Sequence, residues 1–358
     1  MNTADQPNHR LPNFNNASRP VLEAEHLRKE FPINGTNPFG AKKVVHAVED
    51  ASFALYPGQA TALVGESGSG KTTIARILAR LYDPTSGTIR FRGAPVKLKG
   101  GAAALREYRR HIQLIFQDPF GSLNPLHDVR YHLSRPIKLF GHARNQDEVN
   151  EQVLALLRRV SLSPAEQFIQ KYPHQLSGGQ RQRIAIARAL AVRPEIILAD
   201  EPVSMLDVSI RLDILNLLLR LKDEERLALL FITHDIASAR YFAENTLVMY
   251  AGQMVEGGPS EEVIQTPRHP YTQLLLAAAP DPDRIKDQEI GLSTIPARGE
   301  IPSLIDPPTG CRFHPRCPHA MDICRQKFPP RTELGNGHWT NCFLYNGITA
   351  RRMSVPMR

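Results

Sequence analysis

Eight residues, Gly65-Glu66-Ser67-Gly68-Ser69-Gly70-Lys71-Thr72, stand between a short apolar run, Ala60 to Val64, and an amphipathic stretch, Thr72 to Leu81. A buried strand that runs through a glycine loop into a helix confines the chain to a narrow set of α/β folds. Glycines let backbone N–H groups close around a polyphosphate, and the helix that follows adds its positive N-terminal end. In the pattern G-x-x-x-x-G-K-[ST], Lys71 reaches the β- and γ-phosphates and Thr72 is placed to ligate Mg²⁺, with Thr73 beside it in the first turn. The octapeptide alone arises by chance now and then. With an apolar strand before it and Ile74, Ile77, Leu78 and Leu81 in helical phase after it, chance is a poor account.

The rest of the chain alternates between the two periods. Val21 to Phe31 and Val44 to Leu55 read as strands, separated by a Gly/Pro/Asn loop from Pro32 to Gly40. Gly87 to Phe91, His111 to Phe116, Ile196 to Leu198 and Ala228 to Thr233 read as further strands. Leu247 to Tyr250 and Gln253 to Glu256 flank Ala251-Gly252 as a hairpin. Helical phasing appears over Val149 to Val160, Ser177 to Ala191, Ile210 to Arg220 and from Ile236. The expectation is a mostly parallel α/β sheet with a helical insertion between Gln117 and Ile196.

Two acids end one of these strands. In Ile196-Ile197-Leu198-Ala199-Asp200-Glu201 the apolar run delivers Asp200 beside a metal, and Glu201 follows, placed to polarise a water. Taken alone, this could equally be a core strand with acids at its exit. What decides between them is Leu176-Ser177-Gly178-Gly179-Gln180, which lies upstream of the acids.

That pentapeptide resembles the signature of the ABC ATPase superfamily, in which two nucleotide domains close face to face on ATP. The other stations of that family follow in order. Phe31 resembles the aromatic residue that stacks on adenine. Gln117 resembles the Q-loop glutamine, which also contacts the metal. Asp207, in Ser204-Met205-Leu206-Asp207, resembles the D-loop, and His234 the switch histidine. The resemblance covers roughly residues 21 to 270. It implies a RecA-like core, an antiparallel β subdomain and a helical subdomain at about 120 to 190. It also implies that Ser177, Gly178, Gly179, Gln180 and Asp207 act on ATP held by the opposite chain.

Narrower features resemble the oligopeptide/dipeptide/nickel importer branch: Gln117 through Pro125, then His269-Pro270-Tyr271-Thr272, then Gly310 through Pro318. That branch implies a second ATPase chain, identical or paralogous, two membrane permease subunits and an extracytoplasmic substrate-binding protein. Peptides are the leading cargo, with oligosaccharides and nickel as alternatives. Met205 and Arg211 depart from the branch, where Ala and Gln are usual. The segment from Phe120 to Tyr172 is expected to meet the permease, with Phe120, Leu123 and Leu126 offering apolar surface.

All four cysteines, Cys311, Cys317, Cys324 and Cys342, follow residue 310, at spacings x5, x6 and x17. Zinc sites favour tight C-x₂₋₄-C pairs, which are missing, and a disulfide framework does not suit the cytosol. A [4Fe–4S] cluster tolerates irregular spacing and agrees with relatives that carry this tail. Zinc and plain packing of four reduced thiols remain open. The expected organisation is a disordered tail over 1–20, an ATPase domain over 21–270, and a linker with a small Cys-containing C-terminal module over 271–358.

Charge and hydropathy narrow the class of function. No apolar run approaches the roughly 18 to 20 residues of a membrane span, and Met1 to Pro20 has no signal-peptide pattern. The chain is therefore expected at the cytoplasmic face of the membrane, with other subunits supplying the spans. The net charge of +8 could attract nucleic acid. The basic residues are scattered and not interleaved with aromatics, so no nucleic-acid partner is expected. A soluble ABC ATPase acting on nucleic acid is the rival reading. A single glycine loop, about a hundred residues from the signature and without inserted cysteines, argues against it.

Overall fold

A computed structural model of the chain describes residues 19–33, 43–97, 101–278 and 300–346. The expected N-terminal tail, most of the loop after Pro32 and most of the proline-rich linker lie outside the described residues. The strands are β1 (Leu22–Pro32), β2 (Val44–Leu55), β3 (Ala60–Val64), β4 (Ser86–Phe91), β5 (Ala94–Pro95), β6 (Ile112–Ile115), β7 (Ile196–Asp200), β8 (Ala228–Thr233), β9 (Asn245–Tyr250), β10 (Gln253–Pro259), β11 (Thr332–Gly335) and β12 (His338–Thr340). The helices are α1 (Lys71–Leu78), α2 (Ala102–His111), α3 (Pro119–Ser122), α4 (Val129–Leu139), α5 (Gln146–Arg159), α6 (Gly178–Leu190), α7 (Val208–Glu225), α8 (Ile236–Phe242), α9 (Ser260–Gln265), α10 (Pro270–Ala278) and α11 (Asp322–Gln326).

The strands form one mixed sheet in the order β5-β4-β1-β2-β10-β9-β3-β8-β7-β6. Its centre, β6-β7-β8-β3-β9, is parallel. Strands β3, β7, β8 and β9 are buried at every residue. That is why they read as unbroken apolar runs rather than alternating ones. One face is covered by helices of the insertion and by α7: Val153, Leu157 and Ile184 of the insertion and Leu218 of α7 pack with Ala62 and Phe231. The other face carries Ile74 and Leu78 of α1 against Leu63 and Leu230, and β1 and β2 close over it.

Two readings of local sequence are corrected. Leu81 does not extend the apolar face of α1. The helix ends at Leu78, Arg80 takes a left-handed φ of 56°, and Leu81 points out 45% exposed. Leu123 is not surface either: it is 2% exposed and sits in the core with Val129 and Ile184, whereas Phe120 and Leu126 are exposed. The hairpin at Ala251-Gly252 holds, with both residues at positive φ, 44° and 85°, as a tight primed turn requires.

The C-terminal segment, 300–346, joins the sheet itself. Strand β12 pairs antiparallel with β10, Trp339 opposite Gly257 and Thr340 opposite Glu256. Trp339, 2% exposed, lies in the core with Leu247 and Leu63. Glu256, fully buried, accepts from the backbone N–H groups of Arg268 and His269 at 2.7 and 2.9 Å and pairs with His338 Nε2 at 2.7 Å. One carboxylate thus ties the His269-Pro270-Tyr271 turn to the C-terminal strand. The boundary expected at 270 falls at the first residue of α10.

A side chain at Gly257 would put its Cβ 2.6 Å from the Trp339 ring. Gly257→Val should therefore cost about 1–3 kcal/mol by overpacking. Trp339 is the chain's single tryptophan, so its emission should red-shift. Denaturant unfolding followed by tryptophan fluorescence measures both effects.

Candidate nucleotide site

The loop between β3 and α1 is shaped by close backbone contacts. Gly70 sits at φ 106°, and a Cβ there would lie 2.3 Å from the Ala47 carbonyl oxygen, so only glycine fits. Gly65 passes equally close to the Met249 carbonyl, at 2.1 Å from a built Cβ. Ser67 and Gly68 are exposed at the loop's tip, while Ser69 is buried and its carbonyl accepts from Gly252 N–H at 2.8 Å.

Lys71 is 5% exposed and its Nζ donates to the carbonyls of Gly65 and Glu66 at 2.6 and 2.8 Å. Burial pulls its pKa down, against the opposing pull of Glu201, Asp200 and Glu66. Thr72 Oγ1 donates to Asp200 Oδ1 at 3.0 Å. Burial pushes the Asp200 pKa up, the Thr72 hydrogen bond works against it, and Glu201 adds to the rise. Two hard oxygens at hydrogen-bonding distance beside a buried ammonium suit a phosphate-bound Mg²⁺.

Glu201 is where three elements meet. Its N–H donates to the Ile232 carbonyl at 3.0 Å, continuing the β7–β8 ladder one residue past Asp200. Its φ of 46° then turns the side chain out of the sheet. Glu201 Oε2 accepts from Gln117 Nε2 at 3.1 Å and lies 3.4 Å from His234 Nδ1. Gln117 arrives from the end of β6 and His234 from the end of β8. A non-glycine residue held at positive φ beside such partners is a common mark of a working site.

The other residues singled out by motif lie on other surfaces. Ser177 caps α6: its Oγ accepts from Gln180 N–H at 3.3 Å, and the Gln180 side chain accepts from Ser177 N–H at 3.0 Å. Gly178 and Gly179 form the first turn. A Cβ on Gly179 would meet Ile210 of α7 at 2.6 Å, so this glycine lets α6 and α7 touch. Asp207 is the exposed N-cap of α7. Met205 is 55% exposed, while Arg211 donates to the Leu206 carbonyl at 3.3 Å and lines one small cavity with Glu201 and His234. Phe31, next to last in β1, stands edge-on to Tyr82 at 5.3 Å with Lys29 over its ring.

Cys311, Cys317, Cys324 and Cys342 all line one cavity, together with His269 and Phe343. Burial pushes the thiols of Cys311 and Cys342 up to about 12. Backbone N–H groups oppose that rise: those of Phe313 and His314 at Cys311, and that of Leu344 at Cys342. Among the described residues no group of three or more His, Cys, Asp or Glu side chains is arranged to hold a single metal ion.

No local pattern marks Tyr82, Tyr271 and Arg316 as neighbours of this site. Tyr271 Oη accepts from Glu66 N–H at 2.8 Å, and Arg316 grips the Glu66 carboxylate. Both partnerships span more than two hundred residues, beyond the reach of periodicity or motif spacing.

Comparison with known proteins shows the family. Residues 48–204 match the ABC transporter family, and residues 255–324 match the C-terminal region of oligopeptide/dipeptide transporters. The chain is 42% identical over 335 residues to a probable peptide ABC transporter ATP-binding protein of Sinorhizobium fredii, covering 93% of this chain and 92% of that one. The chain belongs to the ABC transporter ATP-binding proteins, in their oligopeptide/dipeptide branch. The oligopeptide transport ATP-binding protein AppF of Bacillus subtilis is 42% identical over 91% of this chain and 98% of its own length. The dipeptide transport protein DppF of Escherichia coli is 39% identical over 91% and 94%. Among solved structures, the ATP-binding cassette MJ0796, a dimer bound to ADP and Pi, superposes with a TM-score of 0.59, at 30% identity over 67% of this chain and 98% of that one.

Burial disfavours the charged form of the Asp200 carboxylate in the folded chain. Its raised pKa means that the penalty is present above the folded value and is relieved as pH falls through it. Asp200→Asn should therefore raise the melting temperature by a few degrees at pH 8. That gain should shrink toward pH 4, as differential scanning calorimetry at the two pH values would record.

Proposed function

We propose that the chain is the ATP-hydrolysing subunit of a peptide importer. Closing with a second such cassette on ATP, it drives permease subunits from the cytoplasmic face of the membrane. The observation that carries this reading is the meeting of Gln117, Glu201 and His234 around one carboxylate oxygen. Three separate strands deliver a γ-phosphate sensor, a base and a histidine to the same few ångströms, beside the phosphate-binding loop.

The proposed division of work follows from position. Phe31 offers a face to adenine. Backbone N–H groups from Ser67 through Thr73, with Lys71, hold the triphosphate. Thr72 and Asp200 would hold Mg²⁺, with Gln117 entering once nucleotide is bound; the ion would neutralise charge on the phosphate oxygens. Glu201 takes the proton of the attacking water, and Gln117 and His234 keep the Glu201 carboxylate aimed. The α6 N-terminus, with Ser177, Gly178, Gly179 and Gln180, and Asp207 from the next loop, would face the ATP of the opposite chain.

No helix among the described residues is long and apolar enough to cross a membrane. A groove of about 530 Å³ lined by Leu114, Phe116, Asp118, Gly121 and Arg188 opens beside Gln117. Phe120 and Leu126, in the segment that follows Gln117, are exposed. This groove supports docking of a short permease helix close to the γ-phosphate sensor. Peptide as cargo rests on the names of the three sequence relatives described above, all of them peptide-transport ATP-binding proteins.

We also propose that the four cysteines hold a [4Fe–4S] cluster. All four cysteines line one cavity, so a single cluster could take all four as ligands. Backbone N–H groups aimed at the sulfurs suit thiolate ligands. The cluster would supply structural support or redox sensitivity, since hydrolysis uses none of these residues. Anaerobically purified protein should carry about four irons per chain and a broad absorbance that bleaches on reduction. One zinc per chain, or no metal, would reject it.

Glu201→Gln should lower turnover by about 10²- to 10⁴-fold while ATP binding persists. Single-turnover hydrolysis at an undiminished rate would remove Glu201 as the base. Mixing Lys71→Ala chains with Ser177→Arg chains should restore turnover that neither shows alone. Ser177 is the cleaner site for this test, since Gly179 also serves the α6–α7 contact. A mixture as inactive as its parts, under conditions of exchange, would reject action across the dimer.

A further inference from the structure

The first residue after Gly65 in the phosphate loop is held from outside the nucleotide-binding strands. Arg316 Nη1 donates to Glu66 Oε2 at 2.8 Å and to Oε1 at 3.2 Å, and Nη2 donates to Oε1 at 3.1 Å. Its side chain is 6% exposed against 24% for Glu66. The guanidinium also donates to Tyr250 Oη at 3.3 Å and lies over the Phe313 ring. The other grip is on the backbone, where Glu66 N–H donates to Tyr271 Oη. Tyr271 is fully buried, its ring 4.5 Å from Tyr250 and 5.4 Å from Phe313 between centroids.

These contacts act on the peptide that Lys71 uses. The Glu66 carbonyl accepts from Lys71 Nζ at 2.8 Å and from Ser69 N–H at 3.2 Å. The Glu66 N–H shares a peptide plane with the Gly65 carbonyl, which accepts from Lys71 Nζ at 2.6 Å, so holding the N–H on Tyr271 fixes the direction of that carbonyl. The pair also has an electrostatic effect. Glu66 is a negative charge inside a loop that must receive a polyanion, and a bidentate guanidinium offsets it at close range. Arg316 stands one residue before Cys317, and Phe313 two after Cys311, so the grip originates on the wall of the cysteine-lined cavity.

We infer that Arg316 and Tyr271 are positioning residues for the ATP-binding loop, and that the C-terminal segment around Cys311 to Cys317 thereby sets the chain's affinity for nucleotide. The inference rests on the proposed ATP site. It makes the C-terminal segment part of the nucleotide machinery, and it requires that ATP and the cysteine-lined cavity influence each other reciprocally.

The experiment is titration of the full chain with ATP by calorimetry. Arg316→Met should weaken ATP binding about tenfold, because an uncompensated carboxylate then faces the phosphates. Arg316→Lys, which keeps the charge and loses the fork, should fall between. Adding Glu66→Gln to Arg316→Met should restore much of the loss, an outcome that a merely structural arginine would not give. A double variant that binds no more tightly than Arg316→Met would overturn the inference. So would wild-type affinity in folded Arg316→Met while Lys71→Ala loses ATP; wild-type affinity in Lys71→Ala would instead remove the ATP reading itself. Should Arg316→Met not fold, Tyr271→Phe deletes only the hydroxyl that receives Glu66 N–H. A weaker ATP affinity in that variant supports the inference, and an unchanged one overturns it.

Discussion

The register of the parallel strands β7, β8 and β3 decides where every reactive group of this chain lies. Val64 is paired with Thr233, and Asp200 with Ile232, so the three strands finish within one residue of each other. The glycine loop, the two acids and His234 all leave from that common edge, and β6 brings Gln117 to the same end. In open α/β sheets ligands bind at the carboxyl ends of the strands for this reason. A slip of one residue in any strand would reverse its side chains and send Asp200 or Glu201 into the packed helices. The cost of burying those acids among apolar side chains opposes that slip.

Much of this is legible in the order of amino acids alone. A strand that is buried on both faces is apolar throughout, so β3, β7 and β8 announce themselves. The groups proposed to handle phosphate are confined to residue types with few substitutes: glycine for close approach, lysine for charge, an acid pair for metal and base. The errors have equally physical causes. Leu81 continues the spacing of α1, but the periodicity cannot show that the backbone turns left-handed at Arg80. Leu123 sits in an irregular stretch where no period reports which way a side chain faces.

What the sequence conceals is long-range. Glu66 fills a variable position of the glycine loop and would pass for a solvated acid. Its partners, Tyr271 and Arg316, lie in two motifs that read as branch markers without a mechanism. Only the fold, by adding β12 to β10 and laying α10 under the loop, brings them together. The Glu256 carboxylate does similar work on the opposite side, joining the His269 turn to His338. The C-terminal segment is therefore not an appendage. It shares a sheet, a core through Trp339 and a partly buried ion pair with the nucleotide domain.

The central claim is that the groups gathered at the strand ends form a working ATP site. A crystal structure of the Glu201→Gln chain grown with Mg²⁺ and ATP tests it most directly. The triphosphate should lie along the backbone of residues 67–73, with Lys71 Nζ moved from the Gly65 carbonyl to the phosphates. The metal should sit between Thr72 and Asp200, and Gln117 within reach of the γ-phosphate. Nucleotide bound elsewhere, or seated in the loop with Gln117 and His234 both turned away from the γ-phosphate, would contradict it.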